Sequence, residues 1–433
     1  MTRNLLRALV AATLTMTTSA ALADLGWSVS VGAANTDNAN RVETGEVDDT
    51  IATAGAAVEY THESRRVQAS LEGSGTYLEY LDDTFDGDFL GNVDASLVLG
   101  IVPERFLWTV EDTYGQITVN LFEPVTPENR QNVNVFSTGP DFIVRLGTQT
   151  ELRLAGRYSQ STYEDTDSVD DTALTGEIAL VRRTSPAVAW SLVGSTSEVE
   201  YDLPGDPGYD LDSVFGRLQG EGARQTISLD LGATRVSDGD ESYTNPLVRL
   251  SWNRRLTPSL TMDLTGGLEY RDTSDRFVAG AGDASGGTVG VNVSGVPSES
   301  TYGGLTFRFQ RPRTTLYAGA NLVSEDYVRS GELDEEFWQA SIGASRRFTQ
   351  RLQGFADFRV ENRDYSSSIG SDDTQTFSLR LDWAVGRATF ITLGYRREDR
   401  DSDVGANSYT ENLVYLSFSY RHGTVTGPGA IAF

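Results

Sequence analysis

The chain has 433 residues, no cysteine, two histidines and a formal charge of −27, and all of its basic residues are arginine. A balance this acidic excludes nucleic acid as a partner, because phosphate binding depends on clustered positive charge. The missing cysteines exclude a disulfide-stapled scaffold, and the shortage of histidine argues against an enzyme that needs a base.

The first segment carries Arg3 and Arg7, a small-residue apolar stretch from Leu9 to Ala20, and then Ala21-Leu22-Ala23. That order predicts a secretory signal peptide over residues 1–23, cleaved near Ala23, with the mature chain starting at Asp24. Its removal takes away two arginines and no acids, which moves the formal charge to −29. The stretch is too short and too broken by threonine to cross a bilayer as a helix. No later run of about 18 apolar residues follows.

From Leu25 onward the chain alternates apolar and polar residues with period two. Thr226–Gly232 and Phe377–Trp383 alternate without a break. Between Leu260 and Tyr270, Leu260, Met262, Leu264, Leu268 and Tyr270 share one face, while Asp263, Thr265 and Glu269 share the other. Successive side chains of a strand point to opposite faces, so each segment has an oily side and a wet side.

Short punctuations fall in order near Glu63–Arg66, Pro103–Arg105, Gly147–Gln149, Ser185–Pro186, Ala223–Arg224, Thr257–Pro258, Arg311–Arg313, Thr349–Gln350 and Gly386–Arg387. Longer acidic stretches lie between them, among them Asn35–Asp49, Leu81–Asp88, Ile117–Asn132, Glu164–Asp171, Asp202–Asp210 and Asp399–Asn407. Short turns alternating with long loops predict an all-β fold: a transmembrane up-and-down antiparallel β-barrel with periplasmic turns at one rim and extracellular loops at the other. Nine turns imply ten hairpin pairs and about 20 strands, with 18 as the alternative. The barrel domain is expected over residues 24–421. The gap from Arg271 to Ser298 is the longest, and its glycines allow either a surface loop or one folded into the lumen.

Charge also sorts by rim, with arginines flanking the short turns and most aspartates in the long loops. Tyr60, Tyr80, Trp108, Tyr158, Trp190, Tyr201, Trp252 and Tyr270 sit toward strand ends and read as interfacial girdles. The last strand ends in Leu416-Ser417-Phe418-Ser419-Tyr420, and residues 422–433 are expected as a periplasmic tail.

If the apolar face meets lipid, the alternate face lines the interior. The residues predicted to line it include Arg145, Arg153, Arg157, Arg217, Asp230, Arg249, Asp263, Glu269, Arg308, Asp357, Arg359, Arg380 and Asp382. Basic groups on the lipid side would cost about 2–4 kcal/mol each at midplane depth. A barrel of this strand number is too wide for side chains to fill, so a wet channel is the default.

The layout resembles the porin-2 type outer-membrane β-barrel porins associated with exopolysaccharide loci. The resemblance rests on a signal peptide leading directly into a barrel, a similar length, acidic loops, and strands such as Phe142–Leu146, Glu151–Tyr158 and Leu413–Tyr420. It implies a conduit for exopolysaccharide export or secretion, and it carries no functional residue onto any position here. The alternative is a passive diffusion porin for small hydrophilic solutes. Expected partners are outer-membrane lipid and lipopolysaccharide, the barrel-assembly machinery and, for the export reading, polysaccharide and periplasmic export proteins. No cofactor is expected. A surface enzyme is disfavoured, since His62 lies beside a short turn and His422 follows the last strand. Asp399, Asp401 and Asp403 have the alternation of a calcium loop, but Val404 stands where glycine is needed, which favours a solvated acidic loop.

Overall fold

The computed structural model describes residues 23–165, 169–202, 208–238, 241–281, 296–328, 331, 333–366, 370–403 and 407–423. Residues 1–22, over which a signal peptide is expected, the glycine-rich stretch 282–295 and residues 424–433 lie outside the described residues. The chain forms twenty strands, β1 (Ala23–Thr36) through β20 (Tyr409–His422). Every strand pairs antiparallel with its sequence neighbours, and β20 pairs with β1 from Trp27↔His422 to Thr36↔Leu413, closing the cylinder. Closure gives every strand a neighbour on both sides, which is what a sheet needs to survive in hydrocarbon. Strands run from 12 residues in β13 (Leu260–Arg271) to 17 in β12 (Glu241–Thr257), enough to cross a bilayer while tilted. With strands ~4.8 Å apart and tilted ~40°, twenty of them enclose a backbone cylinder of roughly 20 Å radius.

All nine predicted turns join strands at one rim. At the other, the alternation of short and long connections breaks once. β11 (Gln225–Asp238) and β12 pair as far as Asp238↔Glu241, so only two residues connect them at the loop end. A hairpin can close this tightly wherever its ladder continues to the last residue.

The burial pattern is inside out. Leu25, Val31, Ile101, Leu174, Val214, Ile342, Trp383 and Phe418 are among the large apolar side chains exposed on the outer wall. Buried positions include Thr36, Asp230, Ser298, Glu325, Arg400 and Glu411. A water-soluble chain places these classes the other way round. No helix among the described residues is long and apolar enough to cross a membrane.

Candidate functional site

Strand parity fixes the inner wall. On β10 (Tyr209–Gly222) Val214 and Leu218 are exposed outward, so Arg217 points in. Its register neighbour on β11 is Asp230, whose neighbour on β12 is Arg249. The three form one rung. Arg217 Nη2 lies 2.8 Å from Asp230 Oδ2, and Arg249 Nη1 lies 3.7 Å from the same oxygen. Arg249 also pairs with Glu269 of β13, which accepts from Arg271 at 2.7 Å and from Tyr302 Oη at 2.9 Å. The Arg217 and Arg249 guanidiniums sit over the Phe215 ring, 5.2 and 5.7 Å from its centroid. Cation–π contact and carboxylate bridging together hold these side chains flat against the wall.

The arginine arc continues round the barrel. Arg308 on β14 (Ser298–Arg311) is in register with Tyr317 on β15 (Thr314–Tyr327), which lies across Gly343 to donate to Asp357 on β17 (Leu352–Tyr365). Arg380 on β18 (Ser371–Ala384) stacks 3.9 Å from the Phe355 centroid and pairs with Asp382 at 3.5 Å. Arg157 bridges Asp141 at 2.8 Å on the far side. Arg308 and Arg359 have no ion pair among the described residues, so their charge is presented to the lumen.

The opposite wall is different. Strands β1 to β5, up to Thr118, contain no arginine. Their inner face carries Glu59, Glu72 and Asp94 in one lateral row over β2 (Asp49–Glu63), β3 (Val67–Tyr80) and β4 (Asp88–Val102), with Glu111 on β5 beyond them. Like charges placed directly opposite each other cost stability.

Two segments cross the loop end of the lumen. The connection from β5 (Phe106–Thr118) to β6 (Arg130–Arg145) ends in a single 3₁₀ turn, Pro127–Asn129. Its carbonyls accept from strands far round the ring: Leu121 O from Tyr365 Oη at 2.8 Å, and Phe122 O from Arg400 at 3.1 Å and from Asn407 at 2.6 Å. Val125 O accepts from Arg41 of the first loop at 2.6 Å. Burial opposes the charge on Arg41, but Glu411, then Tyr409 and Glu398, outweigh it and hold the guanidinium well above its ordinary pKa.

The second crossing segment is helix α1 (Thr273–Ala281), which leaves the end of β13. Asp272 at its start accepts from Tyr209 Oη at 2.8 Å, and Arg276 reaches Tyr327 Oη at 2.5 Å. Phe277 is fully buried against Ile117, Val133 and Tyr163, the inner faces of β5, β6 and β7 (Thr150–Tyr163). The sequence left open whether this gap folds inward. Its first nine residues do, as a helix. The β5–β6 loop gave no comparable signal, because its partners lie from 84 to 285 residues away along the chain.

All thirteen residues singled out from the sequence sit on the face opposite the exposed apolar residues. They are not one cluster. Arg145 lies at the turn rim, paired with Glu104 at 2.6 Å, and Arg153 pairs with Glu151 at 2.5 Å, while Asp263 accepts from Asn253. Three girdle assignments need correction. Trp108, Tyr158 and Trp190 do face outward, but Tyr80, Tyr201 and Tyr270 belong to apolar clusters inside the loop end. Tyr80 and Tyr201 stand at inward parity on their strands, opposite exposed Tyr77 and Leu192, so nearness to a strand end alone misplaces them. Asp399 and Asp401 fall within β19 (Thr389–Ser402), so their alternation is strand period, and Asp399 pairs with Arg397 at 2.9 Å. His422 is the last residue of β20 and stacks on Trp27 at 5.7 Å.

Residues 291–422 match the family described as "Putative beta-barrel porin 2". No curated protein matches the chain. Among solved structures, it is similar to the siderophore receptor PirA from Pseudomonas aeruginosa at 10% identity and TM-score 0.44, covering 93% of this chain and 81% of that one. It is similar to OccAB4 from Acinetobacter baumannii at 11% and 0.38, covering 93% and 99%. For OccK2 (OpdF) from Pseudomonas aeruginosa, in complex with glucuronate, the values are 9% and 0.40, covering 93% and 98%. The closed barrel and its apolar outer wall are those of a transmembrane β-barrel, and the family match covers its last seven strands.

Proposed function

We propose that this protein is a passive diffusion channel for small hydrophilic solutes across the outer membrane. The observation that carries this is the inner wall, where arginines line one side and carboxylates without arginines line the other. Counted from the turn end of each strand, Glu59, Glu72, Asp94 and Glu111 stand four to eight residues in, the same range as Arg217, Arg249, Arg359 and Arg380. After the side chains are placed, the walls remain on the order of 25 Å apart. That exceeds the ~8 Å Debye length at physiological salt, so each wall acts on its own side of the lumen. Anions have a lane along the arginine arc and cations a lane along β2–β5. Neutral sugars find hydrogen-bonding groups on both.

The export reading rests on the resemblance alone. A polymer would have to thread past the β5–β6 loop and α1, which are anchored across the loop end, whereas a small solute has only to pass beside them. Purified protein in liposomes tests the proposal. Swelling in sugars should fall with solute mass and should not saturate at high concentration. A folded barrel that supports neither swelling nor ion conductance would overturn the channel. Loss of secreted polysaccharide in a deletion strain, restored by the gene, would return the export conduit.

A further inference from the structure

The turn ends of β14, β15 and β16 (Glu335–Arg347) carry an unbalanced charge on the lipid-facing wall. On β14 Leu305 and Phe307 are exposed outward, so Arg311 shares their face. Its register partner on β15 is Thr314, on the face of exposed Leu316, and the partner of Thr314 on β16 is Arg346, on the face of exposed Trp338 and Ile342. Arg311, Thr314 and Arg346 thus form one lateral row at the edge of the apolar wall. Arg313 lies in the turn beside them.

None of these three arginines has an ion pair or a side-chain hydrogen bond among the described residues, and all three are exposed. Every carboxylate of these strands, Glu299, Glu325, Asp326, Glu335 and Glu336, lies at the loop end. Arg311 rests 5.5 Å from the centroid of Phe309, so its stem lies on apolar surface while its charge stays at the rim.

Strands two apart are about 10 Å apart, a gap that two guanidiniums can close around one phosphate, with the Thr314 hydroxyl between them. Guanidiniums massed without a counter-charge repel each other. The neighbour that can neutralise them on the lipid side is the membrane itself. We propose that Arg311, Arg313, Thr314 and Arg346 form a headgroup site for an anionic glycerophospholipid of the inner leaflet, of the phosphatidylglycerol type. Short turns of such barrels face the periplasm, which sets this rim at the depth of that leaflet's phosphates. The acyl chains then lie along Phe307, Phe309 and Leu316.

The test is native mass spectrometry of the full-length protein, extracted into detergent with equal amounts of phosphatidylglycerol and phosphatidylethanolamine. The wild type should retain phosphatidylglycerol selectively. The Arg311→Gln/Arg346→Gln variant should lose that retention at least about tenfold. Arg308→Gln, on the same strand but the inner face, should keep it. Heat-modifiable mobility in gels establishes that each variant is a folded barrel. Equal retention of the two lipids by wild type, or unchanged retention by the double variant, would overturn the site. Full displacement by millimolar inorganic phosphate would show an anion cluster without lipid recognition and would overturn it too.

Discussion

Replacing Phe277 by alanine tests whether α1 is a docked part of the channel mouth. The ring is fully buried against Ile117, Val133 and Tyr163, and a methyl at Gly115 would come within 3.3 Å of it. Truncating a buried Phe costs about 3–5 kcal/mol. The lower figure applies here, because the segment can relax into a wet lumen. Two anchors remain, Tyr209 to Asp272 and Arg276 to Tyr327. The barrel ladder is untouched, so the loss of about 3 kcal/mol falls on docking of the helix and raises its undocked fraction by roughly a hundredfold. Hydrogen exchange should show protection lost over residues 273–281 and kept in β5, β6 and β7, and single-channel conductance should rise. Unchanged exchange with unchanged conductance would refute the role of Phe277 as the wedge. Loss of the folded gel mobility would refute the claim that the helix is dispensable to the barrel.

Tyr365→Phe removes the one hydroxyl proton shared between Leu121 O and Asp372. Combined with Arg400→Gln it should free the β5–β6 loop, read as faster proteolysis between residues 119 and 129. Gly343→Ala places a Cβ 2.4 Å from the Tyr317 ring. Tyr317 must then swing away from Asp357 at a cost of about 1–2 kcal/mol, measurable as a lower urea midpoint. Asp230→Asn leaves Arg217 and Arg249 without their shared carboxylate. It should shift the reversal potential in a salt gradient toward anions, and an unshifted potential would show that this rung does not face the conducting path. Glu72→Gln/Asp94→Asn should shift selectivity the same way and raise stability by a few tenths of a kcal/mol, since it relieves like-charge contacts.

Local periodicity determined most of this architecture. Strand number, the nine turns, the closing last strand and the sidedness of each residue follow from period-two alternation and turn chemistry, because a strand's neighbours along the chain decide which face meets lipid. Parity alone put Arg217, Asp230 and Arg249 inside. It could not show that they share one rung, since that depends on the register of β10, β11 and β12. It also separates outward Trp190 from inward Tyr201, which stand at opposite parity on one strand. The mouth was decided by tertiary structure alone. Leu121 and Phe122 meet Tyr365 and Arg400 across the lumen, and Phe277 meets β5–β7 from eight strands away. Such contacts exist only once the barrel has closed, and no local pattern along the chain encodes them.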